Sequence, residues 1–203
     1  MRDKYHIKTD KKVFLYPIQW KQFYELLTDK QRPYFKFVIN TGGRINEILN
    51  VTPNDVAEIE GMRALTFRIT KVKAKKKQTR PEPRTIQISS EFFSWTQRYI
   101  KRERIKTNES IVKISKSAVH KIIKEKLNNI RKDSNDFSSH NLRKTHGNWL
   151  LALGVEGLEI ANRLGHDMNT LLYHYASPTL FTSEHRIRII DELGDLYKDL
   201  RRI

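Results

Sequence analysis

Apolar residues recur every three or four positions along most of the chain, which is the spacing of amphipathic α-helices. A first helix is predicted from Pro17, because proline is favoured at the first helical position, through Leu27. A second begins at Pro33 and is apolar nearly all round over residues 34–39, which predicts a buried helix. Periodicity and capping residues predict further helices over 45–49, after Ser89 or Ser90, from Ser115 or Ser117 to Ile130, from Ser138 or Ser139 to Gly154, through Leu158 and Ala161, and over 183–200.

Short segments with a strand pattern interrupt the helices. Residues 54–60 predict a first strand, and residues 65–70 and 84–88 alternate between apolar and polar side chains as half-buried strands do. The segment between the last two strands predicts a basic β-hairpin, with Lys71 at its mouth and Lys73, Lys75, Lys76 and Lys77 farther along it. We expect some of its lysines to contact phosphate groups and others to belong to an ordinary solvated turn. The expected class is α+β and mostly helical.

Composition narrows the partners of the chain. A length of 203 residues predicts one domain, or one domain with a tail, and a net charge of +16 with a pI near 10.0 favours a polyanion, nucleic acid before an acidic membrane. The absence of Cys excludes disulfides and thiolate metal sites and fits a reducing cytoplasm. No apolar run follows Met1 as in a signal peptide, and none approaches the roughly 20 residues that span a bilayer.

Candidate chemistry is concentrated in residues 137–175. His140 and Arg143 are three positions apart and project from one face of a predicted first helical turn, a pairing suited to phosphate. His166 follows a Leu-Gly pair, and Tyr175 stands nine residues later. A His-x-x-Arg motif alone is common and a Leu-Gly-His is often a helix end, so the interpretation needs a second cluster.

Arg44 supplies that second cluster. It follows a Thr-Gly-Gly turn at the end of the buried second helix, where a simply solvated arginine is unexpected. Glu47 lies three residues later and is placed to orient the guanidinium. A purely structural Arg–Glu pair is the alternative interpretation.

Taken together, these segments resemble the three sequence boxes of the tyrosine recombinases, the phage-integrase family. Residues 41–49 read Thr-Gly-Gly-Arg-Ile-Asn-Glu-Ile-Leu and resemble the first box, Thr-Gly-x-Arg-x-x-Glu. Residues 140–143 resemble the second, His-x-x-Arg, and residues 164–166 with a tyrosine nine residues on resemble the third. The boxes occur in the family's order, and the match covers residues 17–175, the catalytic domain.

The resemblance implies a tyrosine-recombinase catalytic fold with a small three-stranded antiparallel sheet on one side. It implies a flexible arm or linker over residues 1–16, a catalytic domain over 17–182 and a C-terminal helix over 183–203. The helical domain that usually clamps the other side of the DNA is missing from this sequence, so we expect a fragment or a member without that clamp. Gly194 is a weak point in the C-terminal helix, whose apolar stripe suggests exchange between protomers.

The family's catalytic roles carry over to matching positions. Arg44 and Arg143 would bind the non-bridging oxygens of the scissile phosphate, and Glu47 would support Arg44. His140 and His166 would assist with hydrogen bonds and proton handling. These basic groups would stabilise the charge of the transition state, so we expect no metal and no cofactor.

The nucleophile and the general acid are less narrowly fixed. Tyr175 would attack phosphorus and leave a 3′-phosphotyrosine link, and we favour it over Tyr173 because the gap of nine residues from the histidine is the usual one. Lys71 would protonate the leaving 5′ oxygen, because it ends its predicted strand as the family's lysine does. Lys73 has the same strand parity and Lys75 is close, so both remain alternatives.

The resemblance therefore predicts a site-specific DNA recombinase or integrase that uses neither metal nor ATP. The predicted partner is double-stranded DNA, bound by the hairpin lysines and by Lys121 and Lys124 on the 115–130 helix, whose charge is alternatively that of an ordinary outer face. We expect a homodimer or homotetramer on DNA, no membrane contact, and a cytoplasmic location in the nucleoid or a host cell. A type IB topoisomerase-like strand transferase and an inactive DNA-binding module of the same fold are the alternatives.

Overall fold

The computed structural model describes residues 13–68, 83–130, 137–167, 169 and 180–202, the last four of these by their backbone alone. Its elements follow the order predicted from the hydrophobic pattern. They are α1 (Pro17–Glu25), α2 (Arg32–Thr41), α3 (Ile45–Leu49), β1 (Val56–Ile59), β2 (Met62–Phe67), β3 (Arg84–Gln87), α4 (Ser90–Arg102), α5 (Lys116–Leu127), α6 (Ser139–Ala152), α7 (Gly157–Leu164) and α8 (Ser183–Leu193), with 3₁₀ segments at Pro53–Asp55 and Asp195–Arg202.

The strands form an antiparallel sheet in the order β1-β2-β3, as the resemblance implied. β1 and β2 are joined by a tight turn at Glu60 and Gly61, both with positive φ, which is the backbone of a two-residue hairpin. Leu65 lies between Val56 and Ile86 in the register, and these three side chains are buried on one face. The predicted strand over 65–70 instead begins at Met62 and ends at Phe67, because the pairing with β1 extends it backwards; residues 69 and 70 lie outside the described residues.

The centre of the core is the contact between α2 and α6. Tyr34, Phe35, Phe37, Val38 and Ile39 of α2 are fully buried, which confirms the prediction from its apolar circumference. On α6, Trp149 is fully buried and its Nε1 donates to Leu15 O at 2.9 Å. This packing brings the C-terminal end of α2, where Arg44 follows, against the helix that carries His140 and Arg143.

Serine caps decide where three of the helices begin. Ser89 Oγ accepts a hydrogen bond from Phe92 N at 3.2 Å, and Ser115 Oγ accepts one from Ala118 N at 3.1 Å. Ser138 precedes α6, and its backbone N donates to Asn141 Oδ1 at 2.8 Å. The first serine of each pair is therefore the cap, which settles the alternatives left open by the sequence.

Both ends of the described chain differ from the prediction. Residues 13–16, which we assigned to a flexible arm, contribute Phe14 and Leu15 to the core, and Leu15 N donates to Thr145 Oγ1 at 3.0 Å. The helix predicted over 183–200 ends at Leu193, because Gly194 has φ +83 and the chain continues as a 3₁₀ segment. α8 packs on α1, α2 and α6 of its own chain and buries Ile189 and Ile190 there. Its exchange between protomers stays a prediction.

None of the described helices is long and apolar enough to cross a membrane.

Candidate active site

Arg44 stands at the junction of α2 and α3. Gly42 ends α2 in the left-handed conformation, with φ +62, which turns the chain towards the start of α3. Arg44 N donates to Glu47 Oε2 at 2.6 Å, and Arg44 Nη1 donates to Glu47 Oε1 at 2.8 Å. The structure thus contains the Arg44–Glu47 pair that the spacing predicted. Nearly half of the Arg44 side chain, 47%, remains exposed, so its guanidinium faces solvent while its orientation is fixed.

Arg143 lies in the first turns of α6 and points into the protein. Its side chain is only 1% exposed, and its Nη1 donates to Gly42 O at 2.7 Å. Its Nη2 donates to Leu164 O and lies 2.9 Å from His166 Nε2. This arginine therefore links the end of α2 to the end of α7. His140, three residues earlier, is exposed at the start of the same helix.

His166 is presented by the turn that ends α7. Gly165 has φ +61 and caps the helix, and the backbone N of His166 donates to Ala161 O at 2.9 Å. Burial of the imidazole, together with the positive charges of Arg143 and Arg44, lowers the pKa of His166 to about 4. The ring is therefore neutral near pH 7, and its Nε2 accepts the hydrogen bond from Arg143.

Glu47 joins the separate segments of the site. Besides Arg44, its carboxylate accepts Arg84 Nη2 at 2.9 Å and Arg84 Nη1 at 3.2 Å, and Arg143 Nη1 lies 3.8 Å from its Oε2. Burial alone would raise the pKa of the Glu47 carboxyl, but the hydrogen bonds and charges of Arg84 and Arg44 outweigh that effect and lower the pKa to about 2. Glu47 is thus ionised throughout the neutral range.

Arg44 and Arg143 also converge on one short segment of backbone. Arg44 Nη2 donates to Gly165 O at 2.8 Å, while Arg143 donates to the carbonyl of the preceding residue, Leu164. The carbonyls at the end of α7 point towards these cations, as the negative end of a helix does. The three boxes recognised in the sequence, at residues 41–49, 140–143 and 164–166, therefore meet in one place.

Arg84 was missed by the sequence analysis. It begins β3, lies opposite Phe67 in the sheet, and its guanidinium carbon is 4.7 Å from the centre of the Phe67 ring. The signal was available in the strand pattern, since Arg84 has the same parity as the buried Ile86 and therefore belongs to the apolar face. A charged residue on that face needs a partner, and here the partner is Glu47.

A buried pair formed by His146 and Arg163 packs next to the site. His146 Nδ1 donates to Ile39 O at 2.6 Å, and its Nε2 accepts from Arg163 Nε at 3.3 Å. Complete burial and the neighbouring Arg163 hold the pKa of His146 well below its usual value, so this imidazole is neutral. Arg163 Nη1 donates in turn to Gln87 O at 2.7 Å, which ties α7 to the end of β3.

The remaining predicted residues divide into two groups. Lys121 and Lys124 are exposed on α5, and Lys121 Nζ lies 3.7 Å from Glu125 Oε1. On the same helix His120 Nε2 is 3.4 Å from Ser139 Oγ, so α5 lies directly beside the start of α6. The predicted nucleophile and the hairpin residues lie outside the described residues; they are Tyr175, the alternative Tyr173, Lys71, Lys73, Lys75, Lys76 and Lys77. Among the described side chains, no group of three or more His, Asp or Glu is arranged to hold a metal ion.

The sequence model of the phage integrase family matches residues 14–180. The chain belongs to the phage integrase family. This confirms the recognition based on the three boxes, and the match includes every described residue of the cluster around Glu47.

Solved structures of tyrosine recombinases share the fold of this phage-integrase chain. The XerH site-specific recombinase bound to its difH substrate has a TM-score of 0.60 at 17% identity, over 80% of this chain and 49% of that one. The Tn1549 transposon integrase in complex with a circular intermediate DNA has a TM-score of 0.63 at 17% identity, over 81% and 62%. XerA recombinase has a TM-score of 0.59 at 18% identity, over 88% and 64%.

The phage-integrase chain spans about half the length of the XerH chain. At these identities the structural similarity shows the fold alone, and it confirms the predicted mostly helical α+β architecture with a small antiparallel sheet. No curated protein matches the sequence.

Proposed function

We propose that this integrase-family chain cleaves and rejoins DNA as a site-specific recombinase or integrase, through a 3′-phosphotyrosine intermediate and without metal or ATP. The observation that carries the proposal is the convergence of Arg44 and Arg143 on the carboxylate of Glu47, with His166 bound to Arg143. These residues come from three distant parts of the chain, and a module that only binds DNA needs no such fixed cluster.

The arrangement suits an anionic transition state. A phosphodiester carries one negative charge and gains a second when a nucleophile attacks phosphorus, so fixed positive groups lower the barrier. Arg44 offers an exposed guanidinium, held from behind by Glu47 and Gly165 O. Arg143 is covered, and it reaches a non-bridging oxygen when phosphate replaces one of its carbonyl acceptors.

The two histidines have different roles in this proposal. His166 is neutral and bound to Arg143, so it acts as a hydrogen-bonding group that fixes the arginine. His140 is exposed at the start of α6, where it is accessible to a bound phosphate and handles protons.

The proposed reaction balances without an external energy source. The Tyr175 hydroxyl passes its proton to His140 as its oxygen attacks phosphorus, the bond to the 5′ oxygen breaks, and Lys71 supplies a proton to that leaving oxygen. The phosphotyrosine ester retains the energy of the broken bond, so a 5′ hydroxyl of a second strand reverses the step and releases the tyrosine.

DNA binding is proposed from charge and from position. The net charge of +16 favours a polyanionic partner, and the exposed Lys121 and Lys124 lie on the helix beside the start of α6. Structures of XerH and of the Tn1549 integrase contain DNA, which supports the same partner here. We also propose assembly of a homodimer or homotetramer on DNA, with α8 taking part in the contact between protomers.

A suicide DNA substrate tests the reaction and identifies the nucleophile. A nick close to the cleavage site lets the short fragment with the free 5′ hydroxyl dissociate. Religation then fails, and a covalent protein–DNA adduct accumulates. We expect an adduct with the unmodified chain, none with Tyr175→Phe, and an undiminished yield with the matched control Tyr173→Phe.

Mass mapping of the attached peptide checks the assignment. Attachment at Tyr173 would overturn the choice of nucleophile, whereas the absence of any adduct across a set of candidate sites would overturn the proposed chemistry. Adduct yield should be the same in EDTA, and strict dependence on Mg²⁺ would contradict the mechanism.

A further inference from the structure

Arg84 is an arginine inside the site that the three sequence boxes do not include. Its side chain is 14% exposed and lies between the Phe67 ring on one side and Glu47 and Gly165 on the other. Its two terminal nitrogens donate to the two oxygens of Glu47, at 3.2 and 2.9 Å. This is a parallel two-bond contact, the geometry in which a guanidinium fixes a carboxylate most firmly.

Gly165, in the third box, also packs against the Arg84 side chain. A Cβ at Gly165 would lie 2.6 Å from Arg84 Nη1, so only glycine allows this approach. The carbonyl of Gly165 is at the same time the acceptor for Arg44 Nη2. Arg84 is therefore in contact with both groups that hold Arg44, which are Glu47 and Gly165.

The charges explain what such a contact achieves. A carboxylate paired with Arg44 alone would orient it but would also cancel much of the positive charge that a phosphate needs. Arg84 shares the carboxylate through two hydrogen bonds, so a second guanidinium contributes to neutralising Glu47. With His166 neutral, three arginines and one glutamate leave the cluster positively charged.

We propose that Arg84 is a positioning residue for DNA cleavage: it holds Glu47 in place and supplies its counter-charge, so that Arg44 is both oriented and available to the scissile phosphate. The inference rests on the proposed function, because it assigns a role within the same reaction. Arg84 itself is covered by Phe67, Glu47 and Gly165 and acts through Glu47.

The first test compares Arg84→Gln with Arg68→Gln. Arg68 follows the last residue of β2 and pairs with the buried Asp55 instead of Glu47, so its variant also removes an arginine–carboxylate contact. In single-turnover cleavage of the suicide substrate, Arg84→Gln should be slower by about 100-fold, the loss expected when a catalytic group is misplaced by about 1 Å. The Kd for DNA should stay within about threefold, and Arg68→Gln should cleave at nearly the normal rate.

Equal rates for the two variants would overturn the proposal, as would a loss of DNA affinity that accounts for the slower cleavage. Arg84→Lys serves as the conservative variant, and it stands in for Arg84→Gln if that chain does not fold. It keeps the charge without the paired contact, so its rate should lie between those of the wild type and Arg84→Gln. Full activity in Arg84→Lys would show that the paired contact is unnecessary.

A double-mutant cycle with Glu47→Gln separates action through Glu47 from any independent role. If Arg84 acts only through that carboxylate, the double variant cleaves no more slowly than Glu47→Gln alone. If the double variant instead loses cleavage rate by the product of the two single-variant factors, the inference is refuted.

The pH profile provides a readout that a purely structural role would not move. Glu47 faces Arg44 on its own element, Arg84 from β3 and Arg143 from α6, with His166 beyond Arg143. Loss of Arg84 removes a main cause of the low pKa of Glu47, so the pKa rises and protonation begins at higher pH. The acid limb of the cleavage profile should move to higher pH in Arg84→Gln but not in Arg68→Gln, and an unmoved limb would count against the inference.

The failure of the proposed function is distinguishable from the failure of this inference. If the wild-type chain forms no adduct, the recombinase chemistry is refuted, and a ¹³C NMR titration of the Glu47 carboxyl still tests its pairing with Arg84. An upward shift of its pKa in Arg84→Gln supports the pairing, and an unchanged pKa refutes it.

Discussion

Gly42 offers a direct measure of how closely the boxes are packed, because it ends α2 at the point where α6 and α7 meet. Its φ is +62, and a Cβ there would lie 2.5 Å from Leu164 Cδ2 and 2.6 Å from His146 Cδ2. Neither neighbour can move freely, since Leu164 is fully buried and His146 is held by Ile39 O and Arg163. Gly42→Ala therefore combines a left-handed backbone with a collision inside the core.

The expected loss of stability has two parts. A left-handed conformation costs a residue with a Cβ about 1–2 kcal/mol. Forcing a methyl group into a well-packed core costs about 1–3 kcal/mol more. The free energy of unfolding should fall by about 2–5 kcal/mol, which lowers Tm by about 4–20 °C in a domain of this size.

Gly61→Ala is the matched control. Gly61 also has positive φ, +77, but a Cβ there has nothing within 4 Å. This variant should lose only the backbone part, about 1–2 kcal/mol. Effects on the unfolded chain are the same in both variants and cancel in the comparison.

Urea unfolding followed by Trp fluorescence measures both free energies, with the m-value as a check that the unfolded states are comparable. Gly42→Ala should be the less stable variant by about 1–3 kcal/mol. Equal losses would refute the argument that α2, α6 and α7 meet rigidly at Gly42. Because Gly42 O accepts from Arg143 Nη1, we also expect slower cleavage in the folded fraction of Gly42→Ala but not in Gly61→Ala.

Further predictions concern pH, salt and assembly. The pKa of His146 is lower in the folded chain than its unfolded value near 6.5, so the unfolded chain binds the extra proton. The free energy of unfolding therefore falls as pH drops below about 6.5, by up to about 1.4 kcal/mol per pH unit. Denaturation between about pH 6.5 and about pH 5 should show a smaller change of this free energy with pH for His146→Gln, and an unchanged pH dependence would contradict the assignment. The affinity for duplex DNA should fall with salt by about 0.9 log units in Kd per phosphate contacted for each tenfold change in salt, measured by fluorescence anisotropy, and Lys124→Gln should reduce that slope by about 1; a flat response would deny electrostatic binding. Ile187 is 53% exposed on α8, so Ile187→Asp should leave Tm nearly unchanged while weakening assembly on DNA in analytical ultracentrifugation, and intact assembly would argue against a role of this helix face between protomers.

Local pattern fixed much of the architecture in advance. The order of the helices and strands follows from spacings of two to four residues, which also narrowed each capping serine to one of two. The same is true of the Arg44–Glu47 pair, which lies within a single helical turn. The family boxes are local as well, so the sequence sufficed to place the chain among the phage integrases.

Contacts between distant segments were decided only by the tertiary structure. Arg84 and Glu47 are 37 positions apart, and Arg143 and Gly42 are 101 apart, so no spacing in the sequence predicts that they meet. The inward turn of Arg143, the pairing of Arg84 with Glu47 and the inclusion of Phe14 and Leu15 in the core all depend on how α2, α6 and the sheet pack together. Periodicity specifies which face of an element is buried, whereas the partner that covers that face is determined by packing of the whole chain.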